Sequence, residues 1–167
     1  MAPKPYTLRP HRLNDLPWVI RRHGELYSQE FGWDHRFEEL VAGIVAEFQK
    51  NFDPVCERCW IAEMNGERVG CVFVVRKNDE TAKLRMLLVD EKARGYGLGG
   101  QLIKECIDFA RSAGYRKMIL WTSDALHDAR RLYEHAGFRL IEKEQHAMFG
   151  PVMMGQTWEL SLTTREA

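Results

Sequence analysis

The sequence predicts a mixed α/β fold: a central, mostly antiparallel sheet with one parallel crossover, flanked by about four helices. Three observations carry this prediction. Short apolar runs that suit strands are interspersed with longer stretches in which apolar residues recur at helical spacing. Asn65-Gly66, the dipeptide that most favours a tight hairpin, joins two of the short runs. A glycine-rich turn from Gly95 to Gly100 then leads from a third strand into a helix followed by another strand, the order of a parallel crossover.

In chain order, Tyr6–Arg9 reads as a short strand. "NDLPWVIRRHGELY" is a helix capped by Asn14 or Asp15, with Pro17 in its first turn. "RFEELVAGIVAEFQ" is a second helix, with Phe37, Leu40, Val41, Ile44, Val45 and Phe48 forming one apolar stripe for packing on a sheet. Gly32 breaks the chain between the two helices, so that "SQEFGWDH" is a loop whose aromatic residues either line a pocket or cover the core. "RCWIAEM" and "RVGCVFVV" are antiparallel neighbours, and "TAKLRMLLV" is a third strand in which Ala82, Leu84, Met86 and Leu88 alternate with Lys83, Arg85 and Leu87. A helix through Leu102, Ile103, Cys106, Ile107 and Ala110 stops at Gly114. The strand "RKMILWTS", a helix ending at Gly137 and two final strands complete the chain.

At 167 residues, 45% hydrophobic and 29% charged, the sequence suits one domain spanning residues 1–167. A formal net charge of +0 supplies no global field for holding a polyanion, so nucleic acid is not an expected partner. Met1–Pro10 lacks the apolar centre of a signal peptide, and no apolar run approaches the roughly 18 residues of a membrane span. A soluble, cytoplasmic protein without a membrane partner is expected. Cys56 and Cys59 form a lone Cys-x-x-Cys without the second ligand pair that zinc needs, and Cys71 and Cys106 lie in apolar runs. All four are expected to be structural thiols in a reducing compartment, and no metal is expected.

Gly95, Gly97, Gly99 and Gly100 leave several backbone N–H groups free at the start of a helix, an arrangement suited to phosphate or pyrophosphate. Gly95, Gly97 and Gly100 also satisfy the dinucleotide pattern G-x-G-x-x-G, with Asp124 as a ribose-binding acid. Three antiparallel strands before the loop and a single parallel strand after it argue against that fold. No Gly-Lys-Ser/Thr follows, which excludes a Walker loop.

"VDEKARGYGLGGQLI" resembles the acyl-CoA-binding motif Gln/Arg-x-x-Gly-x-Gly/Ala of the GNAT N-acetyltransferase superfamily, with Arg94, Gly97 and Gly99 at its defining positions. "ARRLYEHAGF" is similar to that family's second signature, and the order of elements resembles its fold over nearly the whole chain. Within the superfamily, "LWTSDALHDARRLYEHAGFRLIEKE" and the "GQTWEL" ending look most like the acetyltransferase domain often fused behind MarR-type regulators.

The resemblance implies direct transfer of an acetyl group from acetyl-CoA, as co-substrate, to a primary amine of a small molecule or protein. It is compatible with a homodimer. It implies that backbone amides of Arg94, Gly95, Tyr96, Gly97, Leu98 and Gly99 hold the pyrophosphate. Leu88 and Val89 would pair with the pantetheine arm where their strand parts from the next, an amide near Leu88 would polarise the thioester carbonyl, and His127 would face CoA. Tyr133 is implied as the acid that protonates the departing thiolate, against a core role for the same side chain. The family's common base glutamate is replaced by Lys83 and Arg85, which either read a carboxylate or phosphate on the acceptor or are a solvated sheet edge. Glu63, Glu80 and His127 are the other candidates for a base. The missing glutamate keeps open a non-catalytic acyl-CoA sensor as the alternative.

Overall fold

A computed structural model describes residues 4–163; residues 1–3 and 164–167 lie outside the described residues. Its elements are β1 (Thr7–Pro10), α1 (Leu16–Phe31), α2 (His35–Asn51), β2 (Arg58–Met64), β3 (Glu67–Arg76), β4 (Thr81–Val89), α3 (Leu98–Ser112), β5 (Lys117–Ser123), α4 (His127–Ala136), β6 (Arg139–His146) and β7 (Met153–Ser161). The strands form one sheet in the order β1-β2-β3-β4-β5-β7-β6. Only β4 and β5 are parallel, and α3 is the crossover between them. The mixed α/β fold expected from the sequence is the one found.

Two apolar layers sandwich the sheet. Leu102, Ile103 and Cys106 of α3 pack with Tyr133 of α4 and with Val72 and Val74 of β3. Val19 of α1 and Phe37, Val41, Val45 and Phe48 of α2 pack with the alternate β3 residues Cys71 and Phe73. The strand period of two therefore feeds both layers. Each such fully buried side chain stabilises the fold by roughly 1.5–3 kcal/mol. The four cysteines are free thiols, and three of them are buried.

Several local expectations are revised. Asp15 stands at the α1 N-cap without capping the helix, because its buried carboxylate is held by Arg9 at 2.8 Å, Arg68 at 2.7 Å and the Arg12 N–H at 2.6 Å. Leu40 lies at the margin of the α2 stripe and is 43% exposed. Helix α1 continues through Ser28–Phe31 and closes at Gly32, where φ is +70°, so the loop before α2 is only three residues long. The simple alternation expected in β4 breaks at Met86: Ala82, Leu84, Leu87 and Val89 join the α3 layer, whereas Met86 and Leu88 join the α1–α2 layer.

Candidate active site

That break is a β-bulge. Cys71 faces Leu88 and Phe73 faces Arg85, so two residues, Met86 and Leu87, span the width of Val72 alone. Met86 takes φ +54°, a conformation that costs a bulky L-residue roughly 1–3 kcal/mol unless its surroundings impose it. Here the Cys71 thiol donates to the Met86 carbonyl at 3.4 Å and the Tyr27 hydroxyl donates to the Leu87 carbonyl at 3.4 Å.

Beside the bulge the sheet opens. β4 and β5 pair only over Thr81–Lys83 and Lys117–Ile119, and beyond those residues β4 keeps β3 but loses β5. The Leu88 carbonyl lies against Gly70 of β3, where an added Cβ would meet it at 2.9 Å. Because peptide groups alternate along a strand, the groups of Leu87 and Val89 turn towards the opening.

The opening leads into a cleft of about 610 Å³ walled by α1, the end of β4, the glycine turn and the starts of α3 and α4. It gathers Leu88, Val89, Arg94, Gly95, Gly97, Leu98, Gly99 and His127, eight of the nine residues that the family resemblance assigns to CoA. Tyr96 is the exception: its side chain is 52% exposed and lies outside the lining. Gly97 caps α3 at φ +75°, with no side-chain cap, and its carbonyl accepts the Gln101 N–H at 3.1 Å. The N–H groups of Leu98, Gly99 and Gly100 thus have no partner within the helix, and the helix dipole makes their position favourable for an anion. Gly99 has a different reason to be glycine: a Cβ there would meet Leu132 of α4 at 2.6 Å.

Charges at the cleft differ in how freely they can act. Arg94 pairs with Glu30 of α1 at 2.5 Å, tying the glycine turn to the helix wall. Arg131, which the sequence reading passed over, lines the same cleft as His127. The two are one helical turn apart on α4, and that spacing was the available signal.

Tyr133 is 5% exposed and lies below the lining. Burial raises its pKa far above the ordinary phenol value, and the neighbouring Tyr27 and Cys106 add to the rise. Tyr27 is itself pushed up, chiefly by burial. Both phenols therefore stay protonated at neutral pH, and Tyr27 touches the bulge through the Leu87 carbonyl.

The family model described as "Acetyltransferase (GNAT) family" matches residues 15–138. This chain belongs to the GNAT acetyltransferase family. An uncharacterized N-acetyltransferase of Schizosaccharomyces pombe is 30% identical over 138 residues, covering 82% of each protein. The N-acetylaspartate synthetase of Danio rerio is 34% identical over 112 residues, which are 66% of this chain and 39% of that protein. Among solved structures, an acetyltransferase from Salmonella typhimurium with its cofactor acetyl-CoA superposes with a TM-score of 0.73 at 21% identity, over 98% of this chain and 97% of its own. That likeness establishes the shared fold. Family membership makes the protein an acetyl-CoA-dependent N-acetyltransferase.

Around this GNAT cleft, the base candidates do not converge. Glu63 is held by Arg9 at 2.6 Å, and Glu80 sits in the exposed turn before β4 with Arg116 at 4.0 Å; neither lines the cleft. The α1–α2 connection and the loop between β6 and β7 meet. Trp33 stacks on Phe149 with centroids 5.0 Å apart, and the Asp34 N–H donates to the Phe149 carbonyl at 2.9 Å. Both rings are buried, so at Trp33 the core-covering alternative applies.

Proposed function

We propose that the protein transfers the acetyl group of acetyl-CoA directly to a primary amine, with the cleft binding the donor. The observation that carries this reading is the coincidence of three features at one place. The sheet opens beside a bulged strand, an uncapped helix start faces the opening, and protonated phenols lie beneath it. Acetyl-CoA, when bound, supplies an activated acyl group on a good leaving group.

The chain's own residues provide the rest. The free amides at the start of α3 suit a pyrophosphate, and His127 and Arg131 add donors on the facing helix. Arg94 joins them only by sharing its charge with Glu30. The peptide groups of Leu87 and Val89 suit pairing with an extended arm and polarisation of its carbonyl. Tyr133 keeps its proton at neutral pH and is the donor for the departing thiolate, acting next to Tyr27. Among the described residues no cysteine or serine lines the cleft, which supports direct transfer over a covalent enzyme intermediate. The free thiols Cys59, Cys71 and Cys106 support a reducing, cytoplasmic setting.

As acceptor we propose a small-molecule amine. The Danio rerio relative bears the name of an amino-acid acetylating enzyme, which favours a small molecule over a protein. The "LWTSDALHDARRLYEHAGF" segment supports a place near the domains fused to MarR-type regulators. Calorimetric titration with acetyl-CoA, CoA, NADH and NADPH tests the ligand class, and thiol release with an amine panel tests turnover. Saturable acetyl-CoA binding and amine-dependent thiol release are expected; binding of a dinucleotide instead would overturn the reading.

A further inference from the structure

Two cations on β4, unlike Arg58 over the Phe109 ring and Arg130 on the Asp124 carbonyl, have no such partner among the described residues. Arg9, Arg22 and Arg68, each partly buried, hold carboxylates at 2.6–2.8 Å. Lys83 and Arg85 are also half-buried, yet neither has a carboxylate within 4.0 Å among the described residues. Glu47 of α2 is the one acid whose field reaches both, from beyond that distance. Loss of water lowers the pKa of each, and in Lys83 the charge of Arg85 lowers it further. A charge withdrawn from water without a partner is costly, and proteins keep one where a ligand completes it.

Their placement says which ligand. Lys83 is opposite Val75 and Arg85 opposite Phe73, residues that pack on the α1–α2 side. Both cations therefore leave the sheet on the face opposite α3 and α4. Lys83 is the last β4 residue paired to β5, and Arg85 immediately precedes the bulge. Leu87 follows Arg85 by two positions across the bulge, where the three steps from Arg85 to Leu88 span the two from Phe73 to Cys71, roughly 7 Å. That span fits a molecule whose anionic group and amine are a few bonds apart. Glu142 and Glu144 do not oppose this reading. They lie on the outermost strand and are exposed, where charges keep a sheet edge from pairing with another chain.

We infer that Lys83 and Arg85 bind the carboxylate of the acceptor, so that the preferred substrates are small amino carboxylates rather than polyamines or other carboxylate-free amines. The inference rests on the acetyltransferase reading above and adds the acceptor class to it. The planar guanidinium fork of Arg85 matches a carboxylate in two parallel hydrogen bonds, and Lys83 adds a point charge. A phosphonate offers the same oxyanion chemistry and must be separated by experiment.

The test uses the full chain with saturating acetyl-CoA and thiol release as readout. Aspartate, glutamate and β-alanine are compared with ethylamine, putrescine and 2-aminoethylphosphonate. Amino carboxylates are expected to lead in kcat/KM by at least about tenfold, a difference of about 1.4 kcal/mol. Arg85→Gln and Lys83→Gln should raise KM for the carboxylates about tenfold or more and erase the preference, with Arg85→Lys keeping part of it. Acetyl-CoA affinity should stay within about twofold. Equal turnover of carboxylate-free amines, unmoved by the variants, would overturn the carboxylate assignment and leave the acetyltransferase intact; so would a preference for the phosphonate. Should no amine on the panel be acetylated, calorimetry of aspartate into the CoA-loaded protein decides. Binding lost in Arg85→Gln supports the inference, and absence of binding overturns it.

Discussion

The two sides of the β4 opening are built from different materials. The donor cleft is made largely of backbone: amides at an uncapped helix start, peptide groups of a strand without its neighbour, and glycines that keep side chains away. The proposed acceptor site is made of side chains instead, Lys83 and Arg85 on the α1–α2 face of β4. A backbone site constrains sequence narrowly, because few residues permit it. A side-chain site can be built from many combinations, so one sequence does not announce it.

The comparison breaks first, and hardest, at the glycine turn. Gly97→Val puts a β-branched side chain at φ +75°, where L-residues are strained, and projects it towards the free amides. Acetyl-CoA affinity should fall at least about 100-fold by calorimetry, with a modest loss of Tm. Gly99→Val should do the reverse: its Cβ meets Leu132 at 2.6 Å, so Tm drops by several degrees before binding is touched. If the two variants behaved alike, the division of glycines into those that clear space for a ligand and those that clear it for a helix would be wrong.

Next in size is Tyr133→Phe, which should lower kcat about 100-fold while leaving acetyl-CoA affinity nearly unchanged. The sign of its pH dependence is fixed by the direction of its pKa shift. An acid works while protonated and fails as pH rises through its pKa. Burial moves that point above the ordinary phenol value. The wild-type kcat should therefore show no alkaline decline attributable to Tyr133 between about pH 7 and pH 10. A decline in that range that vanishes in the phenylalanine variant would mean that the hydroxyl is wetter than its burial implies.

What the sequence made legible follows the same division. Asn65-Gly66 takes φ +53° and +77°, the conformation its hairpin demands, and the glycine turn sits where its spacing put it. The β4 bulge was not legible, because "LRMLLV" satisfies a regular strand equally well. The groups that meet it, the Cys71 thiol and the Tyr27 hydroxyl, come from 15 and 60 residues away in the chain. The Glu30 partner of Arg94 was hidden for the same reason, since it arises where α1 meets the glycine turn, whereas Arg131 was legible from its spacing to His127.

A smaller effect tests the one place where side chains assist the donor side. Arg131→Gln should weaken acetyl-CoA binding about three- to tenfold, and more at low salt than at high, since an exposed cation acts through a screened field. Glu30→Gln should strengthen binding slightly by releasing Arg94 from its pair. Salt-independent changes would assign these residues to packing.

The smallest expected effect falls on the acceptor face and concerns stability. If Arg85 is held half-buried without a partner for the sake of a ligand, replacing it should relieve the folded protein even as it harms function. Arg85→Met keeps much of the volume and the apolar stem while removing the charge, so the desolvation cost disappears with little loss of contact with its neighbours. An increase in stability of about 0.5–2 kcal/mol is expected, as where function holds a site below its stability optimum. For a chain of this size that is a rise in Tm of several degrees in a thermal melt. A fall in Tm would mean that Arg85 already has its counterpart within the fold, through Glu47 or water, and the cation pair would then be structural.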